Sequence, residues 1–190
     1  DAKFVKEYAD IIKIITLAPE TDTEDFAAIR EITRDTDVVI SMGHTSADYD
    51  TAMASTNVGV RHVTHLFNAM SALAHRNPGV VGAALASDSV SVEVIADTFH
   101  INPGLYSIIA KLKGDKMILI TDCTRAGGMP DGEYELGGQQ VFLSGGIAKL
   151  ANGTIAGSAT NLFECMRRAM TFGIPEEDAI RAASYNPACS

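Results

Sequence analysis

Four residues able to bind metal ions or move protons recur at similar places in this sequence, each at the end of a short run rich in Ile and Val. Gly43-His44 follows Asp37 to Met42, and Thr64-His65 lies at the end of Val60 to Leu66. Asp97 follows Val90 to Ala96 with His100 just beyond, and Asp122 follows Lys116 to Thr121. Imidazole suits zinc and other first-row divalent ions, and a carboxylate can complete the shell or act as a base. Such ions bring a bound water toward a pKa of about 7, which makes hydroxide available near neutrality. Metal-assisted hydrolysis is the chemistry this set suggests.

Plainer readings compete at each position. A single His at a strand end can equally be a hydrogen-bonded structural residue; two in adjacent strands with a strand-end Asp strengthen the site reading. In the alternation Arg61, His62, Val63, Thr64, His65, His62 points away from His65 and reads as structural. His75 lies in a polar loop and reads as solvated. Asp97 suits a turn as well as a site. Asn68, Arg76 and Asn77 follow the third strand, where loops carry function but solvated charge is commoner. Gly157-Ser158 before a helix could cradle an anion on free N–H groups or serve as an ordinary N-cap.

The elements that must position these groups are strand and helix units. Five runs read as strands, Ile11 to Leu17 and the four above, at the pitch of a parallel α/β sheet. The spacing predicts helices between them: one headed by Thr23, one capped by Ser46 over Ala47 to Ser55, and one opened by Asn102-Pro103 and stopped at Gly114. A helix over Lys3 to Asp10 precedes the first strand. Residues 1–130 thus read as βα units. Residues 131–157, with Gly137-Gly138, Gly145-Gly146 and Asn152-Gly153, read as β-hairpins. Residues 158–190 read as C-terminal helices, the first capped by Ser158 and the last starting at Pro175. In parallel α/β sheets and barrels, ligands sit at the carboxyl ends of the strands, which is where the four polar residues fall.

Composition narrows the function classes. The chain has 190 residues, 46% apolar and 21% charged, enough for a sizeable core and unlike a disordered chain. No apolar run reaches a membrane span, no secretory signal opens the chain, and the expected location is the cytoplasm. A net charge of −9 disfavours nucleic acid as a partner, so an anionic ligand needs a local cationic pocket. Three widely spaced cysteines fit a reducing compartment, each read as a buried or tolerated thiol.

Gly43-His44-Thr45-Ser46-Ala47, Thr64-His65-Leu66-Phe67-Asn68-Ala69-Met70, His75-Arg76-Asn77-Pro78-Gly79, Asp97-Thr98-Phe99-His100 and Thr121-Asp122-Cys123-Thr124 resemble, in order and spacing, the bacterial N-acetylglucosamine-6-phosphate deacetylases of the amidohydrolase superfamily. Asn152-Gly153-Thr154-Ile155-Ala156-Gly157-Ser158 and Asn186-Pro187-Ala188 resemble that family's closing segments. The resemblance implies a partial (β/α)8 TIM-type barrel, about five of its eight strands, with a glycine-rich β-hairpin segment after the last barrel strand. It implies hydrolysis of the acetamido group of N-acetylglucosamine 6-phosphate to glucosamine 6-phosphate and acetate. By position, His44 and His65 are similar to the family's metal ligands. Asp122 resembles its general base, which takes a proton from the attacking water and gives it to the leaving amine. Asn68 and Ala69 through backbone N–H groups, and Arg76 through its guanidinium, resemble the phosphate-binding group. His100 resembles a sugar contact, and the loop from Gly157 to Ala159, with Ser158, resembles a segment that lines the family's substrate pocket.

The implied cofactor is a divalent ion, zinc first, with iron, cobalt or manganese as alternatives. The family's third metal ligand, a Glu on an earlier strand, has no counterpart here. Glu20, in Leu17-Ala18-Pro19-Glu20, reads as part of the first strand's end rather than as its substitute. The chain therefore reads as the central and C-terminal barrel segment of a longer enzyme, a homodimer by resemblance, with little turnover expected from this segment alone. The galacto epimer of the substrate, or a non-catalytic sugar-phosphate-binding module, are the alternatives.

Overall fold

The computed structural model describes residues 1–190. Helix α1 (Ala2–Glu7) starts where the Asp1 carboxylate accepts from Lys3 N–H. Strands β1 (Ile14–Leu17), β2 (Val39–Met42), β3 (Val60–Val63), β4 (Ser91–Ile95) and β5 (Met117–Ile120) form a sheet in sequence order. The registered pairs from β1 to β4 are all parallel. Between them run α2 (Ala27–Asp35), α3 (Tyr49–Val58), α4 (Gly79–Ala86) and α5 (Tyr106–Lys113). Strand after helix in sequence order is the arrangement expected of α/β units. The chain packs as two compact units, residues 1–93 with Ser190, and residues 94–189.

Within the first unit, α2 buries Ile29 and Ile32, three residues apart on one face. Each contributes roughly 1.5–3 kcal/mol by leaving water. Thr23 does not head this helix. Asp25 and Phe26 both take left-handed backbone, the helix begins at Ala27, and the Asp22 carboxylate accepts from Ile29 N–H at 3.0 Å. Ser46 does not cap α3 either: Asp48 does, accepting from Thr51 N–H at 2.8 Å. The α4 helix is absent from the sequence expectations. Six of its eight residues are buried, so it shows no polar face and no 3.6-residue period.

In the second unit, Asn102 opens a short 3-10 turn that leads into α5, which stops at Gly114 as expected. The predicted hairpins are present as the antiparallel strands β6 (Gly132–Leu136), β7 (Gln139–Ser144), β8 (Ile147–Leu150) and β9 (Ile155–Ser158). Val141, Leu143, Ala148, Ala156 and Ala126 form their small core. Helices α6 (Leu162–Thr171), α7 (Glu176–Ala183) and the short α8 (Tyr185–Ala188) follow. Asn161 caps α6 by accepting from Glu164 N–H, so Ser158 is not its cap. No helix is long and apolar enough to cross a membrane.

Candidate functional site

Each of β2, β3 and β5 is followed, two residues past its end, by a candidate site residue in left-handed backbone: His44 at φ +48°, His65 at +35° and Asp122 at +48°. Left-handed conformation costs an L-residue roughly 1–2 kcal/mol, so each turn must be held by its surroundings. The sequence carries no sign of it, because a positive φ normally selects Gly or Asn. The turn after β4 has the same layout, with Asp97 two residues past the strand and Thr98 at φ +72°.

In the first unit, the two histidines meet. Their Nε2 atoms are 2.9 Å apart and the rings lie edge to face, with centroids separated by 4.6 Å. His44 is exposed, whereas His65 is buried and its Nδ1 has no hydrogen-bond partner. The Gly before His44 is dictated by crowding: a Cβ at Gly43 would lie 2.8 Å from Thr64 Cβ and 2.9 Å from Thr16 Cγ2. Two carboxylates hold the histidine turns. Glu20 Oε1 accepts from Ser46 N–H at 2.6 Å, and its Oε2 accepts from the Thr45 hydroxyl. Glu93, on β4, accepts from His65 N–H through Oε2 at 3.2 Å, while its Oε1 lies 3.0 Å from His62 Nε2. His62 is fully buried, with Nδ1 2.8 Å from Ser190 Oγ, which makes it the structural residue its alternation indicated. Neither carboxylate's part is visible in the sequence, since Glu20 reaches its turn from the 3-10 turn after β1 and Glu93 from β4.

A divalent ion fits this pair in one respect and lacks support in another. The Nε2 atoms of His44 and His65 face one another at 2.9 Å, and two imidazole nitrogens that close are suitable donors for a divalent ion, whereas the unpartnered Nδ1 of His65 points away from that spot. His44 and His65 could therefore hold such an ion. No group of three or more His, Cys, Asp or Glu capable of holding a metal is present, so neither Glu20 nor Glu93 completes the shell.

The turn after β3 also modifies the phosphate expectation. Asn68 N–H is donated to the His65 carbonyl at 2.9 Å, and Asn68 Nδ2 to the carbonyls of His65 and Leu66. The Asn68 N–H is thus used in closing its own turn and is not free for an anion. Ala69, at φ +48°, gives its carbonyl to Thr45 N–H. Arg76 and His75 are exposed on a turn closed by reciprocal hydrogen bonds between Ala74 and Asn77.

In the second unit, Asp97 organises the turn after β4. Its Oδ1 accepts from Phe99 and His100 N–H at 2.9 Å each, and its Oδ2 lies 2.6 Å from His100 Nδ1. Burial pushes the Asp97 carboxyl up, but the His100 ring and the two N–H groups outweigh it and hold it below the usual range. An ionised Asp97 accepts a hydrogen bond from His100 Nδ1–H, which directs Nε2 away from Asp97. Arg168, from α6, donates to the Asp97 carbonyl at 2.8 Å.

Asp122 is exposed, and its turn is tied to the end of β9: Ser158 N–H donates to the Asp122 carbonyl at 2.8 Å, and Thr124 N–H to the Ser158 carbonyl at 2.9 Å. Ser158 is buried; its N–H is taken by the Asp122 carbonyl and its hydroxyl oxygen accepts from Thr160 N–H at 3.4 Å, so any donor it offers is its hydroxyl. All three cysteines are free thiols. Cys165 is buried, which pushes its thiol up to about 11.

Site residues at the carboxyl ends of parallel strands define an α/β protein of the kind that places its chemistry in the strand-to-helix turns. The Amidohydrolase family matches residues 1–190. N-acetylglucosamine-6-phosphate deacetylase of Bacillus subtilis (strain 168) is 45% identical over 171 residues, 90% of this chain and 43% of that protein. N-acetylgalactosamine-6-phosphate deacetylase of Escherichia coli O157:H7 is 34% identical over 178 residues, 93% of this chain and 47% of that protein. Among solved structures, N-acetylglucosamine-6-phosphate deacetylase from Pasteurella multocida superposes with a TM-score of 0.92 at 35% identity, covering 98% of this chain and 49% of that one. A mutant of the Mycobacterium smegmatis enzyme in complex with N-acetyl-D-glucosamine-6-phosphate has a TM-score of 0.91 at 36% identity, covering 100% of this chain and 52% of that one. The chain belongs to the amidohydrolase family, which generally binds a divalent metal. It spans about half the length of the curated relatives it matches.

Proposed function

We propose that this chain is the part of a metal-dependent deacetylase that carries two metal-binding histidines, the general base and the phosphate arginine. Its substrate is N-acetylglucosamine 6-phosphate, hydrolysed to glucosamine 6-phosphate and acetate. The observation that carries the reading is the convergence of His44 and His65, whose Nε2 atoms stand 2.9 Å apart in left-handed turns at strand ends. The five parallel strands are then an arc of a (β/α)8 barrel, and the remaining protein ligand, a Glu by family resemblance, comes from sequence outside these residues. When bound, the divalent ion, zinc in this reading, supplies polarisation of the acetamide carbonyl and a more acidic attacking water.

The chain's own residues do the rest. Asp122 takes the proton from the attacking water and delivers it to the amine nitrogen as the C–N bond breaks. Without that delivery the amine would depart as a strongly basic anion. His100, its Nδ1 held by Asp97, accepts a hydrogen bond from a sugar hydroxyl through Nε2. The Arg76 guanidinium meets the 6-phosphate as a planar fork and supplies local positive charge on a chain of net charge −9. Ala69 contributes its backbone N–H, and Ser158 acts by holding the Asp122 turn. The cytoplasmic, homodimeric state belongs to the same proposal.

The galacto epimer is the second reading, favoured by the E. coli relative named for that substrate. The test is acetate release from both epimers by the protein containing this chain, with divalent metal restored. The expected result is faster turnover of the gluco epimer, with kcat reduced about 10²–10⁴-fold in Asp122→Asn and KM little changed. No acetate from either epimer, or an Asp122→Asn variant with parental kcat, would sink the assignment.

A further inference from the structure

We propose that Glu20 is a positioning residue for His44: its carboxylate clamps the turn after β2 in the left-handed conformation that brings the His44 imidazole to His65. This rests on reading those histidines as metal ligands. The Glu20 side chain makes two hydrogen bonds to that turn, one at Ser46 N–H and one at the Thr45 hydroxyl, the two residues directly after His44. Glu20 reaches them from a 3-10 turn, Pro19–Thr21, that follows β1. Thr45 is the junction of the clamp. Its hydroxyl also accepts from Ala47 N–H at 3.1 Å, and its own N–H donates to Ala69 O at 3.1 Å.

The energetics explain why a carboxylate stands there. His44 at φ +48° carries the backbone penalty of a left-handed L-residue, and relaxing that φ would swing its ring away from His65. Hydrogen bonds to an ionised acceptor are about twice as strong as neutral ones, so two of them outweigh the penalty. Thr45 is buried, so its hydroxyl would lose a partner it cannot replace with water. Glu93 holds His65 in a comparable way but is also engaged by His62, so its removal would disturb both histidines. Glu20 isolates the effect on one.

The experiment compares the full chain with Glu20→Ala, Glu20→Gln, His44→Ala and Asp48→Ala. It reads Zn²⁺ affinity by competition with a chromophoric chelator, and by NMR the exchange of the Ser46 amide and the ring resonances of His44. Glu20→Ala should weaken Zn²⁺ binding 10–100-fold, as loss of a supporting residue typically does. It should also speed Ser46 exchange and shift the His44 ring signals. Glu20→Gln keeps an acceptor oxygen and should fall between parent and Ala. Asp48→Ala, which removes only the α3 cap, should leave the affinity unchanged. The proposal is overturned if Glu20→Ala leaves Ser46 exchange and the His44 ring signals as in the parent. It is also overturned if Glu20→Gln binds Zn²⁺ as poorly as Glu20→Ala with Ser46 exchange unaltered, because Glu20 would then be a ligand. If parent and His44→Ala bind Zn²⁺ equally, the metal reading itself fails, and the Ser46 and His44 NMR signals alone decide whether Glu20 positions the turn.

Discussion

Replacing Gly157 by alanine tests how firmly the Asp122 turn is held. Gly157 has φ +66°, and a Cβ there would lie 2.7 Å from Thr124 Cγ2 and 2.9 Å from the Asp122 carbonyl oxygen. The conformation alone costs alanine roughly 1–2 kcal/mol. The overlaps add about 1–3 kcal/mol, the usual range for overpacking. Neither neighbour yields easily. The Asp122 carbonyl accepts from Ser158 N–H at 2.8 Å, and the Thr124 hydroxyl accepts from Ala126 N–H at 3.3 Å. A loss of about 2–5 kcal/mol follows, which near the middle of its range lowers the melting temperature of a chain this size by about 10 °C. Gly153→Ala is the internal control. Its φ is +86°, but nothing lies within 4 Å of its Cβ position, so only the conformational part applies. Urea unfolding followed by far-UV circular dichroism compares the two variants. Equal destabilisation would refute the reasoning, because the crowding between β9 and the Asp122 turn would then contribute nothing.

Two further outcomes follow from the ionisable groups. Because the Asp97 carboxyl is held below its usual range, the unfolded chain binds that proton first as pH falls. Its contribution is therefore complete above the unfolded value of about 3.9 and is lost as pH falls through the lower folded one. Asp97→Asn should flatten the acid limb of a urea-midpoint profile below about pH 4, and an unchanged limb would contradict this. The thiols should separate by burial. At pH 8 a disulfide reagent should modify exposed Cys123 and Cys189 in the native chain, and Cys165, pushed up to about 11, only after denaturation. Rapid native modification of all three would show that Cys165 is accessible.

What was legible in the sequence depended on whether the signal was local. The alternation in Arg61 to His65 separated a structural His62 from a site-facing His65, and the buried His62 between Glu93 and Ser190 agrees. The Gly-Gly pairs marked hairpins whose turns do lie at positive φ. Caps were misplaced wherever several cap-type residues lay within a few positions. Ser46 and Asp48 both qualify locally, but α3 begins at Tyr49, so Asp48 directly before it is the cap, while Ser46 N–H donates to Glu20, 26 residues away in sequence. Ser158 ends β9 and stands before the start of α6 at Leu162, so that cap falls to Asn161.

The site shows the same division more sharply. Its residue types and positions were readable because parallel strands put chemistry at one end. The conformation that makes His44 and His65 converge was not readable, because nothing in Gly-His or Thr-His announces a positive φ. The turns are hydrogen-bonded by Glu20 and Glu93, acceptors supplied by the turn after β1 and by the middle of β4. A left-handed histidine two residues past a strand end is therefore a property of the assembled sheet rather than of its own tripeptide. It follows that removing the distant acceptor should disturb these turns more than a conservative change within the turn itself, such as Ser46→Ala, which keeps the backbone N–H that Glu20 holds.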